Sequence, residues 1–229
     1  MGDPIHLHPT AEIAPRALLP GDPGRALLLA QSLLEEPLMA NHNRGLWGYT
    51  GRAADGELLT IQSTGMGGPS CAIVAEELID LGVTRLIRVG TCGAIADGLA
   101  LGELVVASEA IAADGASRAL GAGERVAADA ELTAALRGEH RGATATTDLF
   151  YDPRGDERHA AWRAAGALVI EMEAATLFQV ALRRGVAAAC VLAVTDVLSG
   201  DERERIDHVG YVAAGERVGV AAAAALSAG

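Results

Sequence analysis

The stretch RLIRVGTCGA, residues 85–94, sets Arg88 inside a run whose other residues, Leu86, Ile87 and Val89, are strand formers. A buried cation without a partner costs several kcal/mol, roughly, in effective desolvation. Arg88 therefore has an acidic partner or awaits an anionic ligand. Three other features fit an anion. PGDPGR puts Gly21 in a turn and Arg25 in the first helical turn after it. Thr91 offers a hydroxyl three residues beyond Arg88. STGMGGPS, residues 63–70, offers backbone N–H groups at a helix start. Two arginines, a hydroxyl and backbone amides could hold one phosphate through charge-assisted bonds. The plainer alternative is a solvated Arg25 and an Arg88 paired with a core carboxylate. TGMGGPS lacks the Gly-Lys-Ser/Thr ending of a Walker loop and also fails G-x-G-x-x-G.

Carboxylates form the second group. Glu171 and Glu173, in EMEAATLFQ, sit where the apolar run ALVI meets a helical pattern. One could accept from both hydroxyls of a sugar diol; two acids at a helix N-terminus are also simply favourable there. Asp196 follows the apolar run ACVLAV, so it is a candidate general acid or base at a strand end, or an ordinary turn aspartate. Arg203 and Arg205 follow in a charge run and could steer it. His6, His8, His42 and Arg44 carry little meaning singly. Phe150 reads as core or as a ring that stacks on a base. No Gly-x-Ser-x-Gly elbow is present, which disfavours a serine hydrolase.

The elements that must position these groups follow from periodicity. Strands are expected at 17–20, 46–51, 57–63, 85–90, 103–107, 167–170 and 189–194. Helices are expected at 24–36, 70–82, 129–137, 157–165, 172–184 and 206–227, with Ser70 as an N-cap and Gly82 as a stop. Strand, Gly-rich turn, helix, strand over 57–90 is a βαβ unit. The alternation predicts a single α/β domain over residues 1–229. It has a central mixed β-sheet flanked by helices, with ligands at the carboxyl ends of strands. The 229 residues are half hydrophobic, enough for a sizeable core, and carry a net charge of −12, which argues against nucleic acid. Three isolated cysteines fit reduced thiols and a cytoplasmic location. The opening MGDPIHLHPTAEI lacks a signal-peptide pattern. Apolar runs are interrupted before the roughly 18 residues a membrane span needs.

The ordered set PGDPGR, NRGLWGYTG, STGMGGPS, RVGTCGA, DLFYDP, VIEMEAA and AVTD resembles the nucleoside phosphorylase family of the purine nucleoside and uridine phosphorylase type, from about residue 5 onward. The resemblance implies the three-layer α/β/α fold of that family. It implies phosphate binding by Gly21, Arg25, Arg88 and Thr91, with Arg44 reaching into the phosphate site of a neighbouring subunit. It implies ribose binding by Met172 and Glu173 and by the neighbour's His6, with His8 as the runner-up. Phe150, Cys92, Gly93, Ile170 and Glu171 would line the base pocket. Uridine-specific members carry Gln and Arg where this chain has Arg154 and Asp156. Purine-specific members carry Ser-Asp at the position of Thr195-Asp196, and their aspartate protonates N7 of the base. Thr91, in contrast, resembles the uridine members. The implied function is reversible phosphorolysis of purine (deoxy)ribonucleosides, with Asp196 as general acid helped by Arg203 or Arg205. Inorganic phosphate is the co-substrate, with no metal or organic cofactor. Shared sites imply at least a dimer, and the family a hexamer. The rivals are a uridine or other pyrimidine phosphorylase, a hydrolytic nucleosidase and a non-catalytic nucleoside-binding protein.

Overall fold

The computed structural model describes residues 4–199 and 203–228; the ends of the expected 1–229 domain lie outside them. Four strands run parallel through the centre. These are β1 (Arg16–Leu19), β4 (Leu58–Gln62), β5 (Arg85–Ala94) and β10 (Ala187–Val197). They are joined by β2 (Glu35–Asn41), β3 (Gly48–Arg52), β6 (Leu104–Ala112), β7 (Arg125–Ala127), β8 (His140–Thr146), β9 (Ala167–Glu171) and β11 (Glu204–Arg205) in one mixed sheet. Part of that sheet closes on itself. β10 pairs with β6, β6 with β8, β8 with β9, β9 with β5, and β5 again with β10. The remaining strands extend as an open arm, β5-β1-β4-β3-β2.

Helices cover both faces, as the α/β pattern requires. α2 (Gly68–Asp80) and α6 (Ala174–Arg184) bury Val74, Leu78, Leu177 and Phe178 on one face. α1 (Pro23–Leu33), α4 (Ala130–Ala135) and α7 (His208–Ser227) bury Leu29, Leu132, Val218 and Leu226 on the other. The short α3 (Gly115–Ala119) and α5 (Gly155–Ala164) complete the set, with Trp162 of α5 packed on a small cluster around Ile95 and Ala145. α7 has a mean hydropathy of 1.3, long and apolar enough by composition to cross a membrane. Here one face of it is core, and Glu216 and Arg217 are exposed on another.

Several expectations shift. The helix expected over 24–36 stops at Leu33, and residues 35–41 form an exposed edge strand. Pro37 cannot continue a helix and is tolerated in a strand only at an edge. Ser70 lies inside α2 and donates its hydroxyl to the Thr64 carbonyl (2.5 Å); Gly67, at φ +85°, takes the cap position instead. β8, HRGATAT, has no apolar alternation to announce it. Its small residues suit a strand enclosed between β6 and β9.

The α1–α7 contact depends on Gly219. A Cβ there would intrude on Leu29 Cδ2 and crowd Leu33 Cδ1. Gly→Ala within a helix ordinarily stabilises by about 1 kcal/mol. Gly219→Ala is expected to have the opposite sign, costing about 1–3 kcal/mol through overpacking. A chemical-denaturation midpoint that rises in this variant would refute the close packing.

Candidate active site

The carboxyl ends of β1, β4, β5 and β10 lie together because these strands are parallel. Arg88, on β5 and 5% exposed, meets acids rather than solvent. Its Nε donates to Glu171 Oε2 (2.9 Å) and its Nη2 pairs with Glu173 Oε2 (2.5 Å). The guanidinium lies against Gly90, where a Cβ would fall 2.8 Å from Arg88 Cζ. The plainer sequence alternative, a core carboxylate partner, is thus present twice over. Among the described residues Nη1 keeps no protein partner.

Glu171 ends β9 and anchors the start of α6. It accepts from Arg88 Nε, from Thr146 Oγ1 (2.5 Å), and from the amides of Glu173 (2.8 Å) and Ala174 (2.9 Å). Burial pushes its carboxyl above the ordinary range, the Arg88 guanidinium pulls it down, and the Glu173 charge pushes it up again. Three of these donors meet Oε2 and one meets Oε1, and the side chain is fully buried. Glu173 accepts the Gly67 amide on Oε1 (2.6 Å). The Gly-rich turn read as an anion cradle therefore already presents one N–H to a carboxylate of the protein. Met172, half-buried, lies between the two acids in sequence. Gly21 packs its turn against Gly65, where a Cβ would sit 3.1 Å from the carbonyl.

Asp196 owes its direction to a bulge. The β10–β5 register pairs Val194 with Cys92 and Asp196 with Gly93, so Thr195 is the extra residue. Bulges re-aim side chains in this way. Asp196 Oδ1 accepts from Arg205 Nε (2.6 Å) and Oδ2 from Thr195 Oγ1 (3.0 Å). The β10–β11 pairing sets Arg205 opposite Asp196. Arg203 is turned elsewhere, to Asp156. Of the two arginines open in the sequence, the geometry joins Arg205 to the acid.

A cavity of about 410 Å³ brings Thr91, Phe150, Asp196 and Arg205 together, with Tyr151, Thr195, Ile206, Asp207, His208 and Tyr211. Phe150 is 64% exposed and meets Tyr151 edge-on at 5.0 Å. The last four lining residues escape a sequence reading. Their one signal is Asp207, whose carboxylate caps α7 at Gly210 N (2.7 Å) and turns the chain back over β10. Cys92 does not present its thiol here. Strand alternation carries it to the core side shared with Arg88, where it donates to the Ala193 carbonyl (3.4 Å). Ile170 packs toward Ile95 and Trp162, and Gly93 is covered by Leu198.

His6 and Arg44 lie apart from this cavity but near each other. Asn43 Nδ2 donates to the His6 carbonyl (2.9 Å). Glu77 fixes the His6 ring at Nδ1 (2.6 Å), while the His8 ring meets the Ile5 carbonyl (3.2 Å). Arg44 is exposed, in a left-handed turn at φ +57°. No described carboxylate pairs with it.

Removing one member of a buried ion pair typically costs about 3–5 kcal/mol. Glu171→Gln is expected in that range and to unfold at lower denaturant than Glu173→Gln, because the Glu171 carboxylate holds four donors and that of Glu173 holds two. The reverse order would remove Glu171 as the anchor.

Comparison with known proteins fits this arrangement. The family pattern described as the phosphorylase superfamily matches residues 15–228. A DeoD-type purine nucleoside phosphorylase of Geobacillus kaustophilus is 38% identical over 205 residues, covering 84% of this chain and 86% of that protein. Another from Clostridium beijerinckii is 36% identical over 218 residues, covering 87% and 91%. The crystal structure of uridine phosphorylase from Vibrio fischeri superposes with a TM-score of 0.83 at 28% identity, covering 95% of this chain and 93% of that one. Motif order, fold and extent of match agree, and the chain belongs to the phosphorylase superfamily.

Proposed function

We propose that the protein catalyses reversible phosphorolysis of purine (deoxy)ribonucleosides to free base and (deoxy)ribose 1-phosphate. The observation that carries this reading is Asp196, braced by Arg205 and opening on a cavity that also holds Thr91 and Phe150. Relatives named purine nucleoside phosphorylase support it at 36–38% identity. Arg154 and Asp156 stand where uridine-specific members would hold the uracil edge. They are engaged with Glu157 and Arg203 instead. The likeness to a uridine phosphorylase, and a threonine rather than a serine at position 91, favour uridine as the second reading.

Each step falls to a named group. Phosphate is held by Arg25, by Thr91 and the free Nη1 of Arg88, with Gly21 in the adjoining turn. It attacks C1′ as the bond to the base breaks and stabilises the oxocarbenium-like transition state. Glu173, fixed by Arg88 and Gly67, orients the sugar hydroxyls beside Met172. Asp196 takes up a proton from solvent on Oδ2 before the bond breaks and gives it to N7, so the base leaves neutral and the carboxylate stays on Arg205. Thr195 makes this exchange possible. Its Oγ1 reaches both Asp196 Oδ2 (3.0 Å) and the Cys92 carbonyl (3.3 Å). The single hydroxyl proton points to Cys92 when Oδ2 carries a proton and to Oδ2 once it is given up. Phosphate is the only co-substrate this chemistry requires; it needs no metal or organic cofactor.

The site is read as completed by a second copy of the chain. His6 and Arg44 lie beside the β2 edge of the sheet, around which Ile5, Leu38, Met39 and Trp47 are 72%, 64%, 43% and 37% exposed. Exposed apolar patches of this kind mark interfaces. The arrangement supports at least a dimer, with a hexamer as the family's form. Three buried free thiols fit the cytoplasm.

Inosine, adenosine and uridine, each assayed with and without phosphate, test the reading. Phosphate-dependent release of hypoxanthine or adenine, with uridine inert, is the expected result. Uracil release would transfer the assignment to uridine, and base release without phosphate would replace phosphorolysis by hydrolysis. Asp196→Asn is expected to lower turnover of inosine about 10²-fold or more while phosphate affinity holds. Undiminished turnover would remove Asp196 from the chemistry. Sedimentation velocity is expected to show no monomer at micromolar concentration; a stable, fully active monomer would refute the shared site.

A further inference from the structure

Arg25 is 6% exposed. Among the described residues no carboxylate lies within salt-bridge distance of it. Its Nη1 donates to the Val89 carbonyl (3.3 Å), its Nη2 to the Tyr211 phenol oxygen (2.5 Å), and its Nε is buried without a partner. A guanidinium in this state faces two neutral acceptors and carries an unbalanced charge. Such a group is costly unless an anion joins it.

The side chain that shapes this cation is supplied by α7. Tyr211 and Gly215 are one helical turn apart and share a face. The Arg25 stem crosses Gly215, where a Cβ would stand 3.7 Å from Cδ, and the guanidinium Cζ lies 5.4 Å from the Tyr211 ring centroid. Tyr211 also lines the cavity that contains Thr91 and Asp196. It thus touches the cation and the ligand space at once. Its phenol oxygen already accepts from Arg25, and its own O–H has no acceptor among the described residues. A hydroxyl that accepts from a cation and keeps its proton is an anion donor.

We propose that Tyr211 is a phosphate-binding residue: its ring and oxygen hold Arg25 in place, and its O–H donates to an oxygen of the phosphate that Arg25 receives. This rests on the phosphorolysis reading and adds to it a residue from the C-terminal helix. The same contact serves the phosphate of ribose 1-phosphate in the reverse direction, since the oxygens are the same.

Tyr211→Phe removes the O–H and keeps the ring over Arg25. A hydrogen bond to a charged group is worth about 1.5–3 kcal/mol, so loss of this donor is expected to weaken phosphate binding about 10-fold or more. Inorganic phosphate is titrated calorimetrically into wild type and variant, and KM is measured separately for phosphate and for inosine. The expected result is a rise of about 10-fold in phosphate Kd and KM with inosine KM shifted far less. A general loosening of the structure would not produce that split. If wild type binds phosphate and Tyr211→Phe binds it equally well, the inference is overturned while phosphorolysis stands. If wild type neither binds phosphate nor needs it to release base, the phosphorolysis reading falls and the inference with it.

Discussion

A guanidinium sits inside the sheet at Arg88, and two carboxylates from one short segment close around it. β5 carries this charge between β1 and β10. The strand can be central only because Glu171 and Glu173 reach it from the β9–α6 junction. Glu171 in turn holds the first amides of α6, and Glu173 holds the Gly67 amide at the start of α2. One buried cation thereby fixes a strand end, two helix starts and the glycine-rich turn. The same contacts hold Glu173 at both carboxylate oxygens, one on Arg88 and one on the Gly67 amide.

The second organising feature is the closed ring of β5, β10, β6, β8 and β9. Closing it brings β10 and β9 against the same end of β5. The bulge at Thr195 then turns Asp196 out of the ladder toward the cavity. From there the chain returns through β11 and caps α7 with Asp207. Residues 204–211 consequently touch both Asp196 and Arg25. Arg205 lies on Asp196, the Ile206 amide bonds the Thr195 carbonyl (2.9 Å), and Tyr211 lies on Arg25.

Much of this was legible in residue order. The βαβ unit over 57–90, the helical face of α6 and the strand before Asp196 follow from periodicity, because burial on one face repeats at the period of the element. β8 was not, since an enclosed strand of Ala, Thr and Gly has no apolar alternation. The edge strand β2 reads as the end of a helix until Pro37 is weighed. Within the site, Thr91, Phe150, Asp196 and Arg205 converge as their motifs suggest. Cys92 does not, although its even spacing from Arg88 already placed it on the core side.

The sequence by itself determined which groups were available. It supplied buried-type arginines, paired acids at a strand end, an aspartate after an apolar run, and a motif order that resembles one family. Their types and local spacing are properties of the chain, so no fold is needed to see them. Tertiary structure alone decided how they pair. Arg88 took Glu171 and Glu173 from about 83 residues away, Arg205 rather than Arg203 took Asp196, and Tyr211 took Arg25 across 186 positions. Such partners are chosen by strand register and helix crossing, and these are set by burial of the whole core rather than by any short stretch.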